Sequence, residues 1–288
     1  MRLGETSLAG LLDIETVGPD RFQGVPPDTG WKRVFGGLVV AQALVAAQRT
    51  VEGRAAHSLH AYFILSGDPK RPILYSVERI RDGKSFATRR CVASQDGRAI
   101  FALSASFQVT QQGLSHQVSM PVVPAPDSLA SESELATRFA SIMPENVKRF
   151  LAQERPIELR PTDLSRFHAT PAPGRQGPQT IWVRAKARLP DDAAVHRAVL
   201  AYLSDMALLD AALIPLGLTI FDPRLQVASL DHALWFHRPF RADEWLLYSQ
   251  DSPTLGGSRG LARGLIFASN GELVASVVQE GLIRERRM

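Results

Sequence analysis

Residues 85–97 read SFATRRCVASQDG and residues 258–271 read SRGLARGLIFASNG. Each stretch begins nine residues past the serine of a Leu-Tyr-Ser triplet, Leu74-Tyr75-Ser76 in one case and Leu247-Tyr248-Ser249 in the other. Each ends on a turn pair, Asp96-Gly97 or Asn270-Gly271, and upstream Ser58-Leu59 is matched by Ser229-Leu230. The matches lie 171 to 174 residues apart. Self-similarity at a fixed distance marks one structural unit used more than once. A distance of this size predicts a duplicated domain, not a solenoid.

The sequence around these stretches predicts what each copy contains. HSLHAYFIL, ILYSVERIR, SFATRRCVASQ and RAIFALSASFQV are rich in β-branched and aromatic residues and bounded by Gly, Pro or Asp, so they read as strands. Asp96-Gly97 is a type I′ hairpin signal. Ahead of them a helix is expected from about Leu38 to Val51, opened by Gly36-Gly37 and apolar enough to be buried nearly all round. The second copy starts near Arg155 with strands IELRPT and IWVRAKARL, followed by HRAVLAYLS. Its central helix is read as DMALLDAALIPLG, ending at Gly217. That alignment sets Ser204-Asp205 opposite Gly36-Gly37. Strands SLDHALWFH, WLLYSQD, SRGLARGLIFAS and ELVASVVQEGLI complete the copy.

Pro-, Ser-, Gly- and Gln-rich segments at 111–131 and 169–179 read as a linker and a loop. SESELATRFASIM and PENVKRFLAQ between them read as short helices, the first opened by a Ser or Glu cap. The expected division is therefore residues 1–115, a linker with short helices at 116–154, and residues 155–288. The fold class is α+β: two tandem units in which an antiparallel sheet wraps one helix, the double-hotdog arrangement.

The chain has 288 residues, 45% hydrophobic and 22% charged, an ordinary globular composition. No run approaches the roughly 18 consecutive apolar residues of a membrane span, and the N-terminus lacks a signal-peptide pattern. A single cysteine, Cys91, rules out an intramolecular disulfide and fits a reducing compartment. Its strand-like surroundings read as a buried, inert thiol. The net charge of +4 comes without the Lys/Arg runs of nucleic-acid arms. The C-terminus, Arg284 to Met288, is not a Ser-Lys-Leu peroxisomal address, so a cytoplasmic setting is expected.

Polar residues that interrupt the apolar pattern supply the candidate chemistry. Asp205, read at a helix start, is either an N-cap or a carboxylate that holds a water as general base. Both hold if Ser204 caps and Asp205 faces a cleft. Ser229 would need an activating base to act as a nucleophile. His232, three residues on in a strand, faces the other side. A covalent serine mechanism is therefore disfavoured. Gln279 sits near the end of the last strand, where Gln108 ends the corresponding strand of the first copy. Asp231 is the rival carboxylate, and Asp210 reads as structural. His232 and His237 lack a third ligand at metal spacing, so no metal and no cofactor are expected. Gly36-Gly37 and Gly256-Gly257 lack a Walker or Rossmann context and read as turns and close packing.

Longer motifs carry a resemblance. Arg33-Val34-Phe35-Gly36-Gly37 followed by Val40-Ala41-Gln42-Ala43-Leu44, and His57-Ser58-Leu59-His60-Ala61-Tyr62-Phe63 with Gly67-Asp68, are similar to the N-terminal signature of the acyl-CoA thioesterase II family. In the second half the matching run is Leu230-Asp231-His232-Ala233-Leu234-Trp235-Phe236-His237-Arg238-Pro239-Phe240, then Glu244-Trp245-Leu246-Leu247-Tyr248 and Val278-Gln279-Glu280-Gly281. The similarity extends from about residue 8 to 285. It implies hydrolysis of fatty acyl-CoA to free acid and CoA, without metal or covalent intermediate. The attacking water would be oriented by Asp205, Ser229 and Gln279, with Ser229 standing where well-known members carry Thr. Trp235, Phe236 and Phe240 are then acyl-tunnel candidates as well as core candidates. A homo-oligomer, dimer or tetramer, is expected. Rival readings are an enoyl-CoA hydratase using an Asp–His pair built on Asp231, and a non-catalytic acyl-CoA binding protein.

Overall fold

The computed structural model describes residues 7–139, 141, 155–164 and 177–286. The expected helix PENVKRFLAQ lies outside the described residues, as do the ends of SESELATRFASIM and most of the loop 169–179. The first half contains α1 (Leu8–Leu12), β1 (Glu15–Gly18), β2 (Arg21–Gly24), α2 (Gly36–Gln48), β3 (Ala55–Phe63), β4 (Ile73–Asp82), β5 (Phe86–Gln95) and β6 (Arg98–Gln108). After α3 (Glu132–Arg138), the second half has β7 (Ile157–Pro161), β8 (Gln179–Ala185), α4 (Ala193–Ser204), β9 (Leu225–Ser229) and β10 (Asp231–Phe236). It closes with β11 (Leu246–Gly256), β12 (Arg259–Ala268) and β13 (Leu273–Glu285).

All strands join one antiparallel sheet in the order β1-β2-β4-β5-β6-β3-β10-β13-β12-β11-β8-β7, with β9 also on β13. The order reads as a unit followed by its mirror, so the duplication seen in the sequence is a duplication of topology. The halves meet edge to edge where β3 pairs with β10 through Leu59↔Leu234. Joining the two central strands removes two unpaired edges. Asp96 and Gly97 have φ values of 49° and 75°, the left-handed pair that a type I′ turn demands.

Helices α2 and α4 lie inside this curved sheet and pack on each other in opposite directions. Gly37, at the start of α2, lies against Tyr202 near the end of α4. Most of α2 is buried, and its small residues Ala41, Ala43, Ala46 and Ala47 are fully so. A helix with no solvent face has no amphipathic stripe to show. A Cβ on Gly37 would stand 2.6 Å from the Tyr202 carbonyl oxygen. Gly37→Ala is therefore expected to overpack the helix crossing, cost about 1–3 kcal/mol and lower Tm by several degrees in a thermal melt. An unchanged Tm would show that the crossing has slack.

The second central helix is a correction. It occupies Ala193–Ser204, so HRAVLAYLS belongs to it, and DMALLDAALIPLG follows it as an irregular segment with 3-10 turns at Leu209–Ala212 and Ile214–Leu216. Asp192, not Ser204 or Asp205, caps α4, accepting the Ala194 N–H at 2.8 Å. Asp205 is at the C-cap, and Ala207 enters the left-handed region with φ 60°, where the helical path cannot continue. The run Ala193–Leu216 has the length and apolarity of a membrane span, yet here it is mostly buried among the other elements.

Candidate active site

Helix α4 ends in a set of fixed contacts. The Ser204 hydroxyl donates to Ala201 O (2.9 Å) and lies 2.8 Å from His232 Nε2, while Tyr248 OH donates to Ser204 O at 2.8 Å. Because the Ser204 proton is committed to Ala201, His232 Nε2 carries the proton of that contact. Burial drives the His232 pKa down to about 4, so the ring is neutral and structural. These bonds anchor the residue that follows, Asp205.

Asp205 faces the start of the other half's helix. Its carboxylate accepts the backbone N–H of Gly37 and, at Oδ1, the side-chain amide of Gln279 Nε2 at 2.6 Å. The same Nε2 donates to Ser229 Oγ at 2.9 Å. Both amide protons of Gln279 are thereby used to hold Asp205 and Ser229 in place. No side chain caps α2. Asp205, at the wrong end of its own helix for an anion, supplies the missing negative charge at the N-terminus of its neighbour. Desolvation outweighs the two hydrogen bonds and raises the Asp205 pKa to about 6. A Cβ on Gly36 would sit 2.8 Å from Asp205 Oδ2, so glycine there is needed for the approach.

Gln279 is fully buried, and its Oε1 has no partner among the described residues. The Ser229 hydroxyl accepts from Gln279 and keeps its own proton to donate. Asp205 and Ser229 line a cavity of about 390 Å³. Its other walls are mostly apolar, from Val34, Phe35 and Leu38 on one side and Leu208, Ile220 and Phe221 on the other, with the buried Arg155 among them and Trp31 and Arg33 exposed at the rim. A proton-accepting carboxylate near neutrality and a free hydroxyl proton thus line one mostly apolar cleft, with the unpaired amide acceptor of Gln279 buried next to both.

The three residues singled out from the sequence converge; the rivals do not. Asp231 accepts the Glu280 backbone N–H at 2.7 Å on the face opposite His232, so the Asp–His pair of the hydratase reading is not assembled. Asp210 accepts the Ile220 N–H at 2.9 Å, a structural role. Phe236 and Phe240 stack on each other and Trp235 meets His60 edge-on; none of the three lines the cavity. Among the described residues no three of His, Cys, Asp and Glu gather closely enough to hold a metal. Gly36-Gly37, read as packing residues, are also the approach surface and hydrogen-bond donor for Asp205. Their double glycine at the head of an uncapped helix was the available signal.

Register corrects the pairing of the two copies as well. Gln279 lies eight residues past Gly271, and eight past Gly97 is Ala105, not Gln108. Ser229 pairs with Gly281, whose counterpart Phe107 pairs with Ala56, not Ser58. The residue after α2, in the place of Asp205, is Arg49.

Known proteins resemble the chain over nearly its whole length. Residues 148–282 match the acyl-CoA thioesterase family, and residues 25–108 match the acyl-CoA thioesterase N-terminal domain. The chain is 39% identical over 280 residues to acyl-CoA thioesterase 2 of Haemophilus influenzae, covering 96% of this chain and 97% of that one. It is 42% identical to human acyl-coenzyme A thioesterase 8, covering 95% of this chain and 88% of the relative. The crystal structure of an acyl-CoA thioesterase II from Mycobacterium marinum superposes with a TM-score of 0.78 at 42% identity, covering 97% and 99%. A protein with a hotdog fold from Alicyclobacillus acidocaldarius, at 17% identity and TM-score 0.76, shares the fold. Identity at this level over nearly the whole length of both chains, on a double-hotdog frame, places the chain in the acyl-CoA thioesterase II family, whose members hydrolyse acyl-CoA thioesters.

Proposed function

We propose that the chain hydrolyses fatty acyl-CoA through a water held by Asp205, Ser229 and Gln279, with no covalent acyl-enzyme. The observation that carries this is a carboxylate of pKa about 6, clamped by Gly37 and Gln279 at the edge of an apolar cavity. The water would give one proton to Asp205 and direct another to the unpaired Gln279 Oε1, leaving a lone pair for the thioester carbonyl carbon. General-base assistance of this kind is worth about 10²–10⁴ in rate. The N-terminus of α2 offers the Gly36 N–H, which has no acceptor among the described residues, to the oxyanion that forms. Collapse expels the CoA thiolate, and the proton on Asp205 returns to solvent or sulfur, giving one acid and one thiol per water consumed. A thiolate is a good leaving group, so no histidine acid is required. The apolar walls suit a fatty chain, and Arg33 at the rim suits the CoA phosphates.

Titrating free thiol from palmitoyl-CoA tests the reaction. Thiol release supports hydrolysis; with trans-2-hexadecenoyl-CoA in its place, loss of enoyl absorbance without thiol supports hydration and rejects it. Ser229→Ala separates water from nucleophile. A hydrogen-bond donor to water or carbonyl is worth about ten-fold, whereas an acyl-accepting serine would be indispensable. A residual rate of about a tenth supports the water mechanism, and complete loss with the fold intact rejects it.

A further inference from the structure

The helix pair has two ends, and the second also opens a cavity, of about 540 Å³, between α1, the C-terminus of α2 and the N-terminus of α4. The positions that correspond to Asp205, Ser229 and Gln279 carry Arg49, Ala56 and Ala105 here. Arg49 and Ala56 line this cavity as Asp205 and Ser229 line the other. The chemistry is gone and the volume remains, within the roughly 300–1,000 Å³ of small-molecule sites.

The lining indicates the class of ligand. Leu12, Leu44, Val45 and Val195 make apolar walls. Four charged groups stand around them, Asp13, Arg49, Asp192 and Arg197. Arg49 pairs with Asp13 at 2.9 Å and donates to Ile14 O, and Asp192 is engaged as the cap of α4. Arg197 differs. Among the described residues its only acceptor is Ala193 O, one turn back at 3.3 Å, and its Nε is shielded from water with no acceptor. Burial lowers its pKa, outweighing the opposing pull of the Asp192 carboxylate, which forms no ion pair with it. Groups shielded in this way ordinarily find a partner.

We propose that this cavity is a second, non-hydrolytic site that binds one long-chain carboxylate, its head on the Arg197 guanidinium and its tail along Leu44 and Val45. Two arginines against two aspartates leave the site near neutral, which favours a monoanion over a polyphosphate such as CoA. Naming the free fatty acid product as the natural occupant rests on the hydrolase reading; the site itself does not.

Calorimetric titration of palmitate into the full chain tests this. Two binding events are expected, because the product also fits the hydrolytic cavity. Arg197→Gln should weaken one event about ten-fold, the loss of a charge-assisted hydrogen bond, and leave kcat/KM unchanged. Val195→Trp, which fills the cavity instead of altering its charge, should abolish the same event. Palmitate binding, in one event or two, that neither replacement alters, or displacement of the Arg197-dependent event by free CoA, overturns the proposal. Arg197-dependent palmitate binding in a chain that releases no thiol would reject the hydrolase reading and leave this site standing.

Discussion

Asp205→Asn is expected to lower kcat by about 10²–10⁴ while the protein stays folded. Asparagine can still accept from Gln279, so the pocket keeps its shape, but it cannot take a proton. The pH dependence of the wild type carries the sign of the argument. Asp205 must be ionised to act as a base, so kcat/KM should fall below a pH of about 6, its folded pKa. Stability runs the other way. The folded pKa lies above the ordinary value of 3.8, so the native chain binds the proton more tightly than the unfolded one. The charge-free state is fully favourable below pH 3.8, and that stability is lost as pH rises through about 6. The full penalty is on the order of 3 kcal/mol, reduced by about 1 kcal/mol for the Gly37 hydrogen bond that asparagine forgoes. The variant should therefore melt higher than wild type at pH 8, with the gap closing toward pH 4. Near wild-type turnover in Asp205→Asn, with Asp231→Asn inactive, would move the base to the other carboxylate.

Gln279→Glu is expected to be nearly as damaging for a different reason. It places a second carboxylate about 2.6 Å from Asp205 Oδ1, where two like charges cannot both ionise and one proton is shared. The apparent pKa of the pair then rises above that of Asp205 alone, so near neutral pH more of the base is protonated and kcat falls by about 10²-fold or more. Raising the pH should recover part of the loss, because it ionises the pair. Gln279→Ala removes the clamp without adding charge; losing the hydrogen bond that holds the Asp205 pKa down moves the acid limb upward, but by less than a second carboxylate does. Superimposable pH profiles for the two variants would mean that Gln279 does not touch the titrating group.

The fold was legible in the sequence because its signals are local. Asp96-Gly97 dictates a left-handed turn pair, and alternation within 58–108 and 229–285 dictates strands. The position of the second helix was not legible. HRAVLAYLS and DMALLDAALIPLG are about equally apolar, and a helix buried all round leaves no stripe by which to choose between them. The terminator is Ala207 at positive φ, a position where glycine would have been visible and alanine is not. The connection also misleads. Seven residues separate Arg49 from Ala56, while twenty-four separate Asp205 from Ser229, so no single offset aligns both helices and strands. An offset taken from the strands therefore sets Asp205 at a helix start. The three site residues were found despite this, because their neighbours carry long motifs. Their reason for being together, the N-terminus of α2, lies 168 residues from Asp205 at Gly37, beyond the range of local patterning.

The amide of Gly37 reaching across to Asp205 has an evolutionary corollary. In a symmetric pair of identical chains, each mouth would borrow its helix start from one partner and its acid from the other, so any change would strike both mouths together. Tethering the partners into one polypeptide breaks that tie. Selection can hold one mouth constant while the other drifts, and arginine and alanine at the drifted mouth record that freedom.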